Sequence, residues 1–265
     1  MKKIALIILI IHLFTLSVTN ICMAQSKPIY NSIDSLLSAY QTEDMPGGAI
    51  AIVSKDGAIY TKCFGVMNTI TLEKINQSTL FDLASVAKQF TAYAILLLED
   101  QGKIDLDCDI REYIKDLPNY KHTITVRNLL QHTSGIASTD WLRLASNLDF
   151  EEEWSHKDEI KILKKYPNLN FRPNTKHLYS NGGYSILATI VERVSGLSFE
   201  EFLNQNIFSP LGMQYTLVNS NSNIELINSA DGYSVANYKA TKISYTNDYS
   251  YGSGNIWSNL EDMIK

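Results

Sequence analysis

Hydrophobic and polar positions alternate along this chain in two rhythms. Ile29 to Gln41 place Ile33, Leu36, Leu37 and Tyr40 at helical spacing, which predicts an amphipathic helix. Ala49 to Ser54 and Ala58 to Val66 are strand-like runs joined through Lys55-Asp56-Gly57, and an Asp-Gly step between two such runs predicts a hairpin. From Leu83 to Leu98 nearly every position is apolar or small, which predicts a helix buried on all sides and closed near Gly102. Lys88 is the one lysine within it. A further helix is predicted from Gly183 to Val194, closed by Gly196, and Ser198-Phe199-Glu200-Glu201 matches a capping box for a helix ending near Phe208.

Elsewhere the rhythm is weaker. Asp140 to Lys165 is charged and helical in part, with Trp141 and Trp154 as candidate anchors, and Leu217 to Gly254 turns rich in Asn, Ser and Tyr. A lone two-stranded hairpin is marginal in water, so more strands are needed. The other strand candidates are short, near Tyr215 to Asn219 and Thr241 to Thr246. Either they complete a sheet or its remaining strands lie beyond Lys265.

The N-terminus has its own pattern. Lys2 and Lys3 precede an apolar stretch from Ile4 to Val18, and Cys22-Met23-Ala24 offers small residues before Gln25. Residues 1–24 therefore read as a cleaved secretory signal peptide, leaving 25–265 as one domain, exported to the periplasm or secreted, with no stable membrane span after cleavage. An uncleaved anchor is the rival reading, and its apolar run is short for a span. Thr19-Asn20-Ile21 is a poor approach to a lipidation site at Cys22.

Composition narrows the function classes. Of 265 residues, 45% are hydrophobic and 19% charged, and the net charge is -5, which excludes disordered, collagen-like and coiled-coil readings. Without clustered Lys and Arg, a nucleic-acid groove is excluded as well. A small-molecule or peptide substrate is the expected partner, and the sequence sets no oligomeric state. Cys63 and Cys108 do not make a disulfide framework and are read as unpaired. No Gly-x-Ser-x-Gly elbow, Walker A loop, Cys-x-x-Cys or paired histidine spacing occurs, so neither metal nor cofactor is implied.

One tetrapeptide carries candidate chemistry. Ser85-Val86-Ala87-Lys88 is the only Ser-x-x-Lys in the chain, and residues three apart on a helix share a face. Serine becomes a nucleophile when a base takes its proton, and lysine can do so only when neutral. Burial among apolar neighbours and a helix N-terminal field both favour the neutral amine. By composition such a tetrapeptide arises by chance roughly once in a couple of hundred residues, commonly as a surface lysine one turn after an N-cap serine. The apolar setting of Lys88 argues against that.

Tyr179-Ser180-Asn181 is the second element. A tyrosine hydroxyl near a cation can carry a proton to a leaving group, and an asparagine amide can hold a substrate amide. Tyr245-Thr246-Asn247 repeats the pattern in the irregular tail. Tyr179-Ser180-Asn181 is preferred because it sits between the turn Arg172-Pro173-Asn174 and an apolar helix.

With these blocks the chain resembles the superfamily of serine β-lactamases and penicillin-binding D-alanyl-D-alanine peptidases, in its class C-like branch. Phe81 to Lys88 looks like the segment entering the nucleophile's helix. Ile124 to Ile136 resembles the family's Leu-Leu-x-His-Thr-Ser-Gly block, and Phe171 to Asn181 with Pro210-Leu211-Gly212-Met213 matches the region around its Tyr-x-Asn. Gly252 to Met263 looks like a later glycine-containing block. The resemblance covers about Gly47 to Ile264.

It implies an α+β, β-lactamase/transpeptidase-like fold, with an antiparallel sheet, incomplete here, against a mostly helical region. It implies an exported serine hydrolase acting on a β-lactam, D-alanyl peptide or small ester. Ser85 is then the acylated nucleophile, Lys88 its base, Tyr179 the proton shuttle and Asn181 a substrate-binding amide. The Ser85 backbone N–H would be one oxyanion donor, whereas His132 and Ser134 would be structural.

Two departures stand out. Asn174 occupies a position where the family often has glycine, a mild change because asparagine tolerates positive φ. The family's Lys or His, one residue, then Gly on a strand is absent after Tyr179, so the chain reads as C-terminally truncated. The missing strand would bring the second oxyanion donor, whose loss costs about 10²- to 10³-fold in rate. The alternative is thus a truncated, inactive remnant. Nothing in the sequence places Ser253-Gly254-Asn255 opposite Ser85.

Overall fold

The computed structural model describes residues 30–38, 44–237, 239–243 and 247–265. The expected leader, Cys22 and the ends of the first helix and of the Thr241 to Thr246 run lie outside the described residues, as do Tyr245 and Thr246. The described residues gather into two compact units, divided between Asn76 and Gln77.

In the first unit a helix, α1 (residues 30–38), precedes β1 (Gly48–Ser54) and β2 (Gly57–Phe64). The strands pair antiparallel from Gly48 opposite Phe64 to Ser54 opposite Gly57, as the Asp-Gly step predicts, with a bulge at Ile52/Val53. Tyr30 stacks on Tyr60, and Asp34 accepts from the Tyr60 hydroxyl and the Lys62 amine, which ties α1 to β2.

The second unit begins with β3 (Phe81–Asp82), a 3₁₀ turn at Ala84–Ala87 and α2 (Lys88–Asp100). Short helices α3 (Val126–Leu130) and α4 (Thr139–Ala145) follow, then β4 (Trp154–Ser155), α5 (His156–Lys165) and α6 (Asn181–Ser195). The capping box at Ser198 and Glu201 opens α7 (Phe199–Leu203), which runs through a π turn into α8 (Ser209–Leu211). Strands β5 (Leu217–Val218), β6 (Tyr233–Ala236), β7 (Lys239–Lys242), β8 (Asp248–Tyr249) and β9 (Ile256–Ser258) lead to α9 (Leu260–Met263).

α6 is the axis of the core. Its Ile186, Leu187, Ala188, Ile190 and Val191 are fully buried, and α2, α3, α5 and α7 all pack on it. Burial of each large aliphatic side chain there contributes about 1.5–3 kcal/mol.

α2 departs from expectation. Only the face carrying Ala87, Phe90, Thr91, Ala94, Ile95 and Leu98 is buried, while Val86, Tyr93 and Leu96 are exposed. That buried set has the i, i+3, i+4 spacing of a one-sided helix, so the sequence overstated the burial. Trp141 is likewise exposed, whereas Trp154 packs against the core.

The short strands behave in a similar way. The Tyr215 to Asn219 run supplies β5, which pairs with β9, and β9 pairs in turn with β3, both antiparallel. This three-stranded sheet fixes the residues just before Ser85. β4 and β8 form a two-residue parallel pair, and β6 and β7 an antiparallel one.

Candidate active site

Ser85 owes its position to the β3 edge. Asp82 Oδ1 accepts from the Ala84 N–H at 2.8 Å, and Ala84 has φ +45°, outside the comfortable range for a residue with a Cβ. The chain therefore turns sharply, and Ser85 emerges exposed on a 3₁₀ turn rather than as the cap of a regular α-helix. In a 3₁₀ turn positions i and i+3 eclipse, which brings the Lys88 side chain beneath Ser85. The Lys88 amine lies 3.2 Å from Ser85 Oγ, and Lys88 is only 7% exposed.

Tyr179 is presented by a second scaffold, built from the block at Leu129 to Ile136. Gly135 has φ +79°, and a Cβ there would meet the Phe171 carbonyl oxygen at 2.2 Å, so the two segments touch backbone to backbone. The Asn174 N–H donates to the Thr133 carbonyl and the Leu178 N–H to the His132 carbonyl, both at 3.0 Å. Asn174 sits at φ +65°, a conformation asparagine tolerates. Burial, with help from Lys88 and His177, holds the His132 pKa below its ordinary value, which suits Nδ1 as acceptor for the Ser180 N–H at 3.2 Å. The His132 ring lies 4.6 Å from the Tyr179 ring.

These two scaffolds bring all four sequence-predicted site residues together. Tyr179 Oη lies 2.6 Å from Ser85 Oγ, and Lys88 Nζ donates to Asn181 Oδ1 at 2.9 Å. Burial pushes the Lys88 pKa down, while Tyr179 and Asp140 hold part of it up. A neutral lysine has two N–H donors and one lone pair. Asn181 Oδ1 and the Ser253 carbonyl, at 2.9 and 2.7 Å, take the two donors, which leaves the lone pair for the serine hydroxyl.

Three residues around the site were missed by sequence reasoning. Ser253 reaches Lys88 through its backbone carbonyl, so Ser253-Gly254-Asn255 does lie beside Lys88 and lines the same groove as Ser85; a main-chain acceptor leaves no side-chain signature. Thr91 Oγ1 donates to the Gly252 carbonyl at 2.7 Å and anchors the same segment. Asp140 Oδ2 accepts from Asn181 Nδ2 at 2.8 Å and from Ser138 Oγ at 2.9 Å. It lies at the start of the stretch from Asp140 to Lys165, read from the sequence as charged and helical in part, without a site residue singled out.

The cluster opens into a groove of about 450 Å³ lined by Asp82, Ser85, Asp140, Asn181, Asp248 and Ser253, among others. Burial raises the pKa of Asp82 and of Asp248, the latter paired with the buried Arg143 at 2.8 Å. A second groove of about 510 Å³, between α2 and Ile207 to Met213, lacks a nucleophile–base pair. Among the described residues no group of His, Cys, Asp and Glu is placed to hold a metal ion, and Cys63 and Cys108 are free.

Comparison with known proteins bears on the family and the fold. The family model described as Beta-lactamase matches residues 33–265. Penicillin-binding protein 4* of Bacillus subtilis (strain 168) is 32% identical over 173 residues, covering 64% of this chain and 38% of that protein. An N-acetylmuramyl-L-alanine amidase of the same organism is 31% identical over 188 residues, covering 65% and 42%. The chain thus spans less than half the length of these two relatives. The octameric penicillin-binding protein homologue from Pyrococcus abyssi superposes with a TM-score of 0.73 at 24% identity, over 90% of this chain and 55% of that one. The fold is therefore the β-lactamase/transpeptidase-like α+β fold.

Proposed function

We propose, from the premise that this chain belongs to the beta-lactamase family of serine hydrolases, that it hydrolyses an amide or ester through an acyl-enzyme on Ser85. The observation that carries the reading is the Ser85 hydroxyl lying between Tyr179 Oη at 2.6 Å and Lys88 Nζ at 3.2 Å. The neutral Lys88 amine takes the Oγ proton as Oγ bonds to the substrate carbonyl carbon. The tetrahedral oxyanion is met by the Ser85 N–H, and the Tyr179 hydroxyl gives its proton to the departing nitrogen or oxygen. Water then attacks the Ser85 ester, loses a proton to the same pair of groups and regenerates the hydroxyl.

The names of the relatives, a penicillin-binding protein and an amidase, favour substrates with a reactive acyl carbon: a β-lactam, a D-alanyl peptide or a small ester. The segment from Asp140 to Lys165 forms part of the groove wall and is assigned the choice among them. Asn181 is assigned to the substrate amide, and the N-terminal pattern supports export to the periplasm or beyond.

The test is labelling with a fluorescent penicillin and with a fluorophosphonate, followed by peptide mass analysis. The expected result is one adduct on the peptide holding Ser85, lost in Ser85→Ala. An adduct that survives Ser85→Ala, or none on folded protein, refutes the assignment.

A further inference from the structure

An asparagine amide has two faces of nearly equal shape and opposite hydrogen-bonding character. Which one meets Lys88 decides whether the amine is held or repelled. In the orientation present, Oδ1 accepts from Lys88 at 2.9 Å and Nδ2 points away. If the amide turned over, an N–H donor would face an N–H donor and the amine would lose one of its two acceptors. No property of Asn181 itself selects between these states.

The selecting groups sit on the other side. Asp140 Oδ2, acceptor-only when ionised, takes a hydrogen bond from Asn181 Nδ2 at 2.8 Å and another from Ser138 Oγ at 2.9 Å. The Ser138 oxygen also accepts from the Asn181 backbone N–H at 3.3 Å, so one serine braces both residues. The start of α4 is thereby tied to the start of α6 directly beside the nucleophile.

We propose that Asp140 is a positioning residue for this site: its carboxylate holds the Asn181 amide with the carbonyl oxygen toward Lys88, which leaves the amine's lone pair aimed at Ser85. The assignment rests on the serine hydrolase reading for its catalytic consequence, but its structural content is independent of turnover. Lys88 is faced by Tyr179, Tyr184, His132 and Asp140, and Asp140 in turn by Asp248. Of those facing Lys88, Asp140 is the carboxylate, so its removal acts on the amine both through charge and through the amide.

Two variants separate the effects. Asp140→Asn keeps an acceptor for Nδ2 and removes the charge, whereas Asp140→Ala removes both. Asp140 is exposed, and thermal melting verifies that both variants remain folded. The first readout is the NMR titration of [¹³Cε]lysine protein, with the Lys88 signal identified by its absence in Lys88→Met. The expected result is a Lys88 titration moved to lower pH in Asp140→Asn and further still in Asp140→Ala. Equal shifts in the two variants, or none, overturn the positioning role.

The second readout is the rate of Ser85 labelling. Asp140→Ala is expected to slow the pH-independent rate about tenfold, the scale of one lost hydrogen bond to a charged group, with Asp140→Asn restoring most of it. In an Asn181→Ala background the same change is expected to cost less than about twofold, because the group it positions is gone. A tenfold cost in both backgrounds contradicts the proposal. If wild-type Ser85 takes no label, the hydrolase reading fails, and the Lys88 titration still decides the role of Asp140.

Discussion

Lys88 Nζ donates to the Ser253 backbone carbonyl at 2.7 Å, across 165 positions of sequence. That contact makes the turn after β8 part of the surroundings of Ser85 and Lys88. It explains why a lysine can stay buried on a largely apolar helix: its donors are met by fixed acceptors, one main-chain and one amide, which lessens the cost of removing it from water.

The turn is held in place by Gly252. Its φ is +91°, and a Cβ would lie 2.5 Å from the Tyr184 carbonyl oxygen and 2.7 Å from Ala188 Cβ. Gly252→Ala is expected to destabilise the fold by about 1–3 kcal/mol, the usual cost of a side chain in such a backbone region. It should also slow Ser85 labelling, because Ser253 is drawn away from Lys88. Urea melts together with labelling rates check both effects; a variant of wild-type stability that labels at the wild-type rate excludes this role for the turn.

Lys88 also carries a stability signature. The native state binds its proton less readily than the unfolded chain, so native stability falls as pH drops from the ordinary lysine range toward neutrality. Lys88→Met removes that penalty. The stability of the variant relative to wild type should therefore rise as pH falls from above 10.5, and level off once the native-state amine is protonated. Urea midpoints at pH 7 and above pH 10.5 supply the comparison, and a difference that does not change with pH counts against the buried amine.

His156 gives an acid-side prediction. Its ring stacks on Tyr251 at 3.9 Å, Nε2 lies 3.0 Å from Thr189 Oγ1, and burial pushes its pKa down to about 3. The folded chain therefore stays neutral where the unfolded chain takes up a proton. Stability is fully present above pH 6.5 and declines as pH falls toward 3. One proton corresponds to about 1.4 kcal/mol per pH unit within that window. His156→Gln should flatten the urea-stability profile by that slope, and an unchanged slope rejects the assignment.

What could be read from sequence followed the strength of the local signal. The hairpin was legible because Asp56-Gly57 and the flanking runs agree, and α6 because its long apolar pattern ends at Gly196. Ser85 and Lys88 were legible as a spaced pair, but not the 3₁₀ turn that eclipses them, which depends on Ala84 being held by Asp82. Strands β3 and β9 have two and three residues, too few for alternation to register. Ser253 acts through a carbonyl that every residue possesses, and Asp140 through an amide far along the chain. Both contacts arise from tertiary packing, so local pattern could not have marked them.

The account depends on an uncharged Lys88 generating the Ser85 nucleophile. The most direct measurement is the pH dependence of adduct formation on the Ser85 peptide, in wild type and in Lys88→Arg, whose guanidinium stays protonated. The predicted result is a wild-type rate that rises through a single ionisation below lysine's ordinary 10.5 and then levels off, with labelling lost in Lys88→Arg. A wild-type rate still climbing beyond pH 10.5, or equal labelling in both proteins, would contradict it.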